Sequence, residues 1–260
     1  MARARGPRPH LVSGHRVRFD WGPTGARVMV ADARPGDVAV VVDVLSFTTT
    51  LTVAVERGVE VLPFPWAAEE APAYAESRGA VLAVGRREAL THAPAGAVSL
   101  SPASWATADR IDRVVLPSPN GSAICFALAD AGVVVVGACL RNAGAVARRL
   151  AAADRRVSVV AAGERWPDGS LRPAVEDLWG AGAVLAGLPS AGASPEARAA
   201  VAAYDAVRGR TCAALPACRS GQELVEGGFA RDVEIAAEAD VSEVVPVLRG
   251  EAFVDGGAQL

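Results

Sequence analysis

Three observations predict an α/β fold: a three-layer α/β/α arrangement whose sheet is largely parallel or mixed and covered by helices on both faces. Apolar β-branched runs of strand length recur along the chain and read as strands buried on both sides. Helix-length stretches alternate with them, the rhythm of a mainly parallel sheet. The stretch Val40–Pro63 also realigns without a gap on Val114–Gly137, at a constant offset of 74 residues, so the fold contains an internal strand–turn–helix pseudo-repeat.

Each copy opens on a buried strand and passes through a polar turn, Ser46-Phe47-Thr48-Thr49-Thr50 in the first and Ser118-Pro119-Asn120-Gly121-Ser122 in the second. A helix follows and ends at Gly58 or Gly132, where glycine accepts the left-handed conformation that closes a helix. The next strand comes at once, Val59–Pro63 or Val133–Val136. Hydroxyls, amides and glycine at a helix start present backbone N–H groups to an anion of phosphate size. The same residue types are also ordinary helix caps. A third strand–turn–helix is predicted from Val157–Ala162, a loop over Gly163–Pro173 and a helix over Ala174–Leu188, with Pro173 at its start. Val81–Val84 reads as a further strand and Asn142–Ala153 as a helix. Pro189–Pro195 reads as a linker before a helix from Glu196 to about Arg208, and the end of the chain as a helix over Gly221–Glu226 and a strand over Val244–Leu248. Residues 1–20 are expected to form a mobile tail, and residues 21–260 one α/β domain, with two pseudo-repeated subdomains as the alternative.

Composition narrows the classes of function. Half of the 260 residues are hydrophobic, enough for a sizeable core, and the net charge of −3 gives no bias toward nucleic acid. No apolar run is long enough to span a bilayer, and the expected compartment is the cytoplasm. All 26 basic residues are arginine, which excludes a Schiff-base lysine and a Walker loop. The three histidines, His10, His15 and His92, lie off the three loops, which argues against a Ser-His-Asp hydrolase. Cys125 and Cys139 sit in apolar surroundings as buried thiols; Cys212 and Cys218 lack histidine partners for zinc. Leu45 stands where an aspartyl-nucleophile motif needs its second acid, and Arg219 falls one position late for a Cys-x5-Arg loop.

In open α/β sheets ligands collect at the carboxyl ends of strands, which would bring the turns after Val42 and Leu116 and the loop after Ala162 together. Four carboxylates lie there: Asp43, Glu164, Glu176 and Asp177; Asp168 reads as the Asp-Gly turn residue. Asp43 ends an apolar strand, where an unpartnered carboxylate is costly, so it requires a metal, an arginine or a cap. Glu176 and Asp177 fit a helix-dipole role as readily as a site role. An all-oxygen donor set at a phosphate site favours Mg²⁺. Arg86 and Arg87, after the strand Val81–Val84, are placed to clamp an anionic substrate, and Asn142 is read as a cap or a site amide.

Five segments, DVLSFTTT (Asp43–Thr50), PNGSAI (Pro119–Ile124), LRNAGAVA (Leu140–Ala147), Ala161–Gly182 and Ser220–Phe253, together resemble the 2-phosphosulfolactate phosphatase family, over about Val40 to Ala252. The resemblance implies an α/β protein that hydrolyses a phosphate monoester with Mg²⁺, and a shared site pattern of Asp43, Asn120, Gly121, Asn142, Glu176 and Asp177. This chain departs from the family's usual pattern. An arginine is usual where Ser46 stands, Thr-Thr-Asn-Gly-Thr in place of Ser118–Ser122, Gly-Gly-Glu-Arg in place of Val84–Arg87, and Asn-Ser-Pro in place of Leu100-Ser101-Pro102. One acid has thus become basic at Arg86.

The expected site has Asp43, Glu164 and Glu176 as catalytic residues and Asp43, Glu176 and Asp177 around Mg²⁺. Ser46, Thr48, Thr49, Arg86, Arg87, Ser118, Asn120, Gly121, Ser122 and Asn142 are expected to bind the substrate. The expected partner is a small phosphate ester, neither nucleic acid nor membrane, and a homodimer stays open. A different phosphorylated hydroxy acid, or anion binding without catalysis, are the alternatives.

Overall fold

A computed structural model describes residues 14–65, 69–91, 97–153 and 155–257. The chain runs β1 (Val17–Trp21), α1 (Gly22–Val30), β2 (Val38–Val42), α2 (Phe47–Glu56), β3 (Glu60–Pro65), α3 (Ala71–Glu76), β4 (Val81–Leu82) and α4 (Arg86–Thr91). It continues through β5 (Arg113–Ser118), α5 (Gly121–Leu128), β6 (Val134–Ala138), α6 (Ala143–Ala152) and β7 (Val157–Ala161). A short hairpin, β8 (Glu164–Arg165) and β9 (Leu171–Arg172), precedes α7 (Val175–Ala186), α8 (Pro195–Asp205), α9 (Thr211–Ala217), α10 (Arg219–Glu226) and α11 (Ala230–Ala237). The chain closes with β10 (Pro246–Arg249) and β11 (Ala252–Asp255).

One sheet takes the strand order β1-β7-β2-β6-β10-β11-β3-β5-β4. Strands β1, β7, β2 and β6 are mutually parallel, as are β3, β5 and β4. The β10–β11 hairpin joins the blocks by antiparallel contacts, Val247 to Val136 on one side and Phe253 to Val61 on the other. The two parallel blocks therefore run in opposite senses.

The pseudo-repeat is visible as β2-α2-β3 and β5-α5-β6, and its copies are exchanged. The first strand of one pairs with the second strand of the other, β2 with β6 and β5 with β3. The arrangement approximates a two-fold axis passing near the β10–β11 hairpin, and it sets the polar turns of the two copies against each other.

The sheet is buried on both faces, as its β-branched strands require. Val38, Val40, Val42, Val157 and Val159 face α6, α7, α8 and α11. Ala39, Val41, Val135 and Val160 face α1, α2 and α5. The shortage of aromatics is met by close helix contact: Gly182 of α7 lies so near α8 that a Cβ there would overlap the Ala200 carbonyl oxygen.

The structure amends several expectations. The end of the expected 1–20 tail is strand β1, paired in register with β7, while residues 1–13 and His92 lie outside the described residues. The loop predicted over Gly163–Pro173 contains the β8–β9 hairpin. The strand predicted over Val81–Val84 is two residues long plus one bridge from Val84 to Ser99. Among the described residues no helix is long and apolar enough to cross a membrane.

The α7–α8 contact has a direct test. Gly182→Ala is expected to lower stability by about 1–3 kcal/mol through overpacking, seen as a melting temperature several degrees below that of the parent protein.

Candidate active site

The centre of the site is a carboxylate shared by two helices. Asp43 follows β2, and its Oδ1 accepts a hydrogen bond from the Phe47 N–H at 3.1 Å while its Oδ2 accepts one from the Gly121 N–H at 2.8 Å. Phe47 and Gly121 are the first residues of α2 and α5, so one buried acid caps both helices of the repeat. Helix N-termini carry partial positive charge, which offsets much of the cost of burying the carboxylate. Only glycine fits at position 121, because a Cβ would fall 2.7 Å from both Cβ and Oδ2 of Asp43. Burial pushes the Asp43 carboxyl up; the two N–H donors and Arg86 pull it back, and the Glu176 charge adds to the rise.

Three more acids crowd this point. Asp177, in the first turn of α7, accepts from Val44 N–H at 2.7 Å and from Gly163 N–H at 2.8 Å, fastening the loop after β2 to the loop after β7. Burial, then the charges of Asp43 and Glu176, hold Asp177 well above the usual carboxylate range. Glu176 is buried beside it and accepts a weak bond from the Cys218 thiol at 3.4 Å. That thiol is pushed up to about 12 by burial and by Glu176. Glu164, just beyond β7, accepts from Asn120 Nδ2 at 2.8 Å. Burial and the Asp43 charge raise its carboxyl to about 7.

Asn120 and Glu164 open on a cleft of ≈340 Å³ whose walls include Trp21, Pro23, Arg165 and Leu171. A larger cleft of ≈560 Å³, lined by Arg16, Arg34, Arg155 and Arg156, lies at the amino ends of β1, β2 and β7, away from these acids.

On the other side of Asp43, Arg86 donates from Nη2 to the Ser46 hydroxyl and from Nε to Asp232 Oδ2 at 2.8 Å. Asp232, on α11, also accepts from the Ser101 hydroxyl and from Ala103 N–H at 3.2 Å. Arg87 is exposed, so of the two candidate arginines it is Arg86 that reaches the turn of the first copy.

Several predicted substrate binders are engaged in holding the loops. Thr48 Oγ1 both donates to the Asp43 carbonyl and accepts from its N–H, and Thr49 Oγ1 donates to the Val44 carbonyl. Ser122 Oγ links the Leu116 carbonyl to Phe64, and Ser118 Oγ accepts from Asn120 N–H at 3.3 Å. Asn142 is fully buried; its amide accepts from Cys139 N–H and donates to the Val244 carbonyl. Asp232, Ser101 and Cys218 escaped the sequence reading. Asp232 carries no local signal, since its helix also holds Arg231 and Glu234 and an acid in a first turn is ordinary.

The donor chemistry suits a hard cation. Asp43, Glu164, Glu176 and Asp177 supply only oxygens, and their burial raises mutual repulsion that a dication would relieve. Among the described residues no three Asp, Glu, His or Cys side chains form a ready-made metal cage. Oxygen donors of this kind suit a hard cation such as Mg²⁺, which at phosphate sites commonly takes one or two carboxylates with water and substrate oxygens.

Residues 28–251 match the family model described as 2-phosphosulpholactate phosphatase. A probable 2-phosphosulfolactate phosphatase of Deinococcus radiodurans is 34% identical over 236 residues, 88% of this chain and 95% of the relative. The 2-phosphosulfolactate phosphatase of Methanothermobacter thermautotrophicus is 30% identical over 86% of this chain and 92% of its own length. A probable one from Thermus thermophilus is 32% identical over 82% and 89%. With a match over most of its length and the acids of the two-fold turn in place, the chain belongs to the 2-phosphosulfolactate phosphatase family, phosphatases that act on a phosphate monoester.

Proposed function

We propose that this protein is a Mg²⁺-dependent phosphatase that hydrolyses a small, strongly anionic phosphate monoester, 2-phosphosulfolactate, to sulfolactate and phosphate. The observation that carries the reading is the convergence of Asp43, Glu164, Glu176 and Asp177 at the starts of α2 and α5, beside the guanidinium of Arg86. The names of the three relatives support the substrate.

Asp43 and Glu176 are the residues to hold the ion, with Asp177 bracing the loops behind them. Bound there, Mg²⁺ supplies charge neutralisation at the phosphate and Lewis-acid polarisation of its oxygens. Ser46, Asn120 and Gly121 present the two helix starts to the substrate. Thr48, Thr49, Ser118, Ser122 and Asn142 serve by fixing the turns. Glu164, oriented by Asn120, takes a proton from water as the water oxygen bonds to phosphorus. The ester P–O bond breaks, and the departing alkoxide oxygen acquires a proton to become the hydroxyl of the product. A carboxyl raised to about 7 is matched to this work near neutral pH.

Asp43→Asn sets an NH2 against one of the two helix N–H groups, so it is expected to lower the melting temperature and, in the folded protein, to lower kcat/KM for 2-phosphosulfolactate by on the order of 10²-fold or more. Activity near that of the parent protein would remove Asp43 from the mechanism. Because the base must be deprotonated, kcat/KM of the parent should rise with pH to a plateau, with its midpoint at or below about 7 because bound Mg²⁺ offsets the Asp43 charge that helps to raise Glu164. Glu164→Gln should abolish that limb and lower the rate by about 10²–10⁴-fold; an unchanged pH profile assigns the base elsewhere.

Removal of divalent ions with a chelator should stop turnover, with recovery on adding Mg²⁺. Stability gives a separate readout. Glu164 has a folded pKa above its unfolded one, so the folded state binds more protons between the ordinary glutamate value of 4.5 and about 7. The metal-free protein should thus lose stability as pH rises through that window. Stabilisation by Mg²⁺ should grow over the same range in thermal melts.

A further inference from the structure

The repeat extends beyond the copies aligned in the sequence. Val159 of β7 pairs across β2 with Val40, and Val81 of β4 pairs across β5 with Val114, the residue matching Val40 in the second copy. Counting onward from these partners brings Ala161-Ala162-Gly163-Glu164-Arg165 onto Ala83-Val84-Gly85-Arg86-Arg87. The side-chain contacts follow the same correspondence. Asn120, one residue before α5, bonds to Glu164; its counterpart Ser46, one residue before α2, bonds to Arg86. Asp43 lies between the two pairs, touching the first N–H of each helix. The site is thus built from two equivalent halves with opposite charge, an acid in one and a guanidinium in the other.

Resting on the phosphatase reading, we propose that the halves divide the substrate. The Asn120–Glu164 half serves the phosphate ester, and the Ser46–Arg86 half receives a second acid group on the same molecule, a carboxylate or sulfonate. Asp232 is a positioning residue that aims the guanidinium. Its carboxylate is only 1% exposed and grips Nε of Arg86, and its other oxygen is tied to Ser101 and Ala103. Arg86 itself retains 14% exposure and has the Phe229 ring 5.9 Å from its Cζ. Fixing Nε against a buried acid restricts the guanidinium and directs Nη2 onto the Ser46 hydroxyl at the start of α2. A planar donor edge held in this way suits the oxygens of a carboxylate or sulfonate. An ester without a second acid leaves that edge unmatched. The specificity is therefore for a phosphorylated acid rather than for phosphate esters at large.

The test compares 2-phospholactate with isopropyl phosphate, esters of similar shape that differ by one carboxylate. The readout is the ratio of their kcat/KM values in the parent protein, Arg86→Gln, Arg86→Lys and Asp232→Asn. The parent should favour the acid-bearing ester at least tenfold. Arg86→Gln should abolish most of that preference, chiefly through KM, with Arg86→Lys restoring part of it. Asp232→Asn should shift the ratio in the same direction by a smaller factor. A ratio unchanged in both Arg86 variants, or loss confined to kcat on both esters alike, overturns the division. If the parent hydrolyses neither ester nor 2-phosphosulfolactate, the phosphatase reading fails, and calorimetric binding of sulfolactate then judges the half-site alone. A tenfold or greater weakening in Arg86→Gln supports it, and equal affinity overturns it. Since Arg86 is part-exposed, its variants report on the site even where Asp232→Asn does not fold.

Discussion

The structure depends on one carboxylate placed between two helix starts. Asp43 takes the leading N–H of α2 on one oxygen and that of α5 on the other. Buried without these donors, the charge would cost several kcal/mol. With them, the same charge joins the two halves of the molecule and satisfies backbone groups that a helix leaves unpaired. The constraint spreads outward from there. It requires glycine at position 121, because a side chain would occupy the space of the carboxylate. It also requires the loop of Asp43 to be rigid, which explains the four threonines of α2: Thr48 and Thr49 close on the carbonyls of Asp43 and Val44, Thr52 on that of Thr48, and Thr50 on Leu100.

The crosswise pairing of the repeat makes this contact available. Were β2 and β3 neighbours in the ordinary right-handed unit, the turns of the two copies would be set by their separation along one parallel sheet. Here β3 lies beside β5 and β6 beside β2, the two parallel blocks run in opposite senses, and the β10–β11 hairpin fills the seam. A sheet of one sense gathers its ligands along one edge. Two opposed blocks related by an approximate two-fold axis can present their helix starts to a common point, and Asp43 occupies that point.

Much of this was legible in the sequence. The 74-residue repeat, the buried strands and the position of the polar turns survive in the structure, because β-branched runs and helix-stop glycines encode local preferences. The exchange of strands between copies was not legible, since pairing partners are chosen by long-range packing that no local pattern carries. Strand β1 was hidden by Arg18 and Asp20, which interrupt its apolar run, and by a helix that follows at once through Gly22-Pro23. The hydroxyls illustrate a deeper limit. Thr48, Thr49 and Ser122 look like ligand groups because they stand at helix starts, and the same property makes them the nearest donors to their own backbone. Asp43 was singled out because a carboxylate at the end of an apolar strand demands a reason, and Glu164, Glu176 and Asp177 because they lie on or beside the loop after β7. Asp232 lies outside the three loops considered, on a helix that carries other charges as well.

The charge arrangement around Asp43 explains why two equivalent halves need not behave alike. Like charges gathered in a buried place raise one another: the Glu176 charge adds to the rise of Asp43 that burial causes, and after burial the charges of Asp43 and Glu176 raise Asp177. Burial first, and then the Asp43 charge, make a charge at Glu164 unfavourable, which is why its carboxyl sits near 7. A second glutamate at the matching position of the first copy would compound the repulsion. Arg86 stands there instead, lowering Asp43 on one side, while on the other the Asp43 charge adds to the rise of Glu164. The asymmetry therefore separates the tasks by electrostatics alone: one half keeps a carboxyl that exchanges protons near neutral pH, and the other keeps a permanent cation. Two equivalent halves thus come to differ in sign through a single exchange of residue type, Glu164 in one and Arg86 in the other.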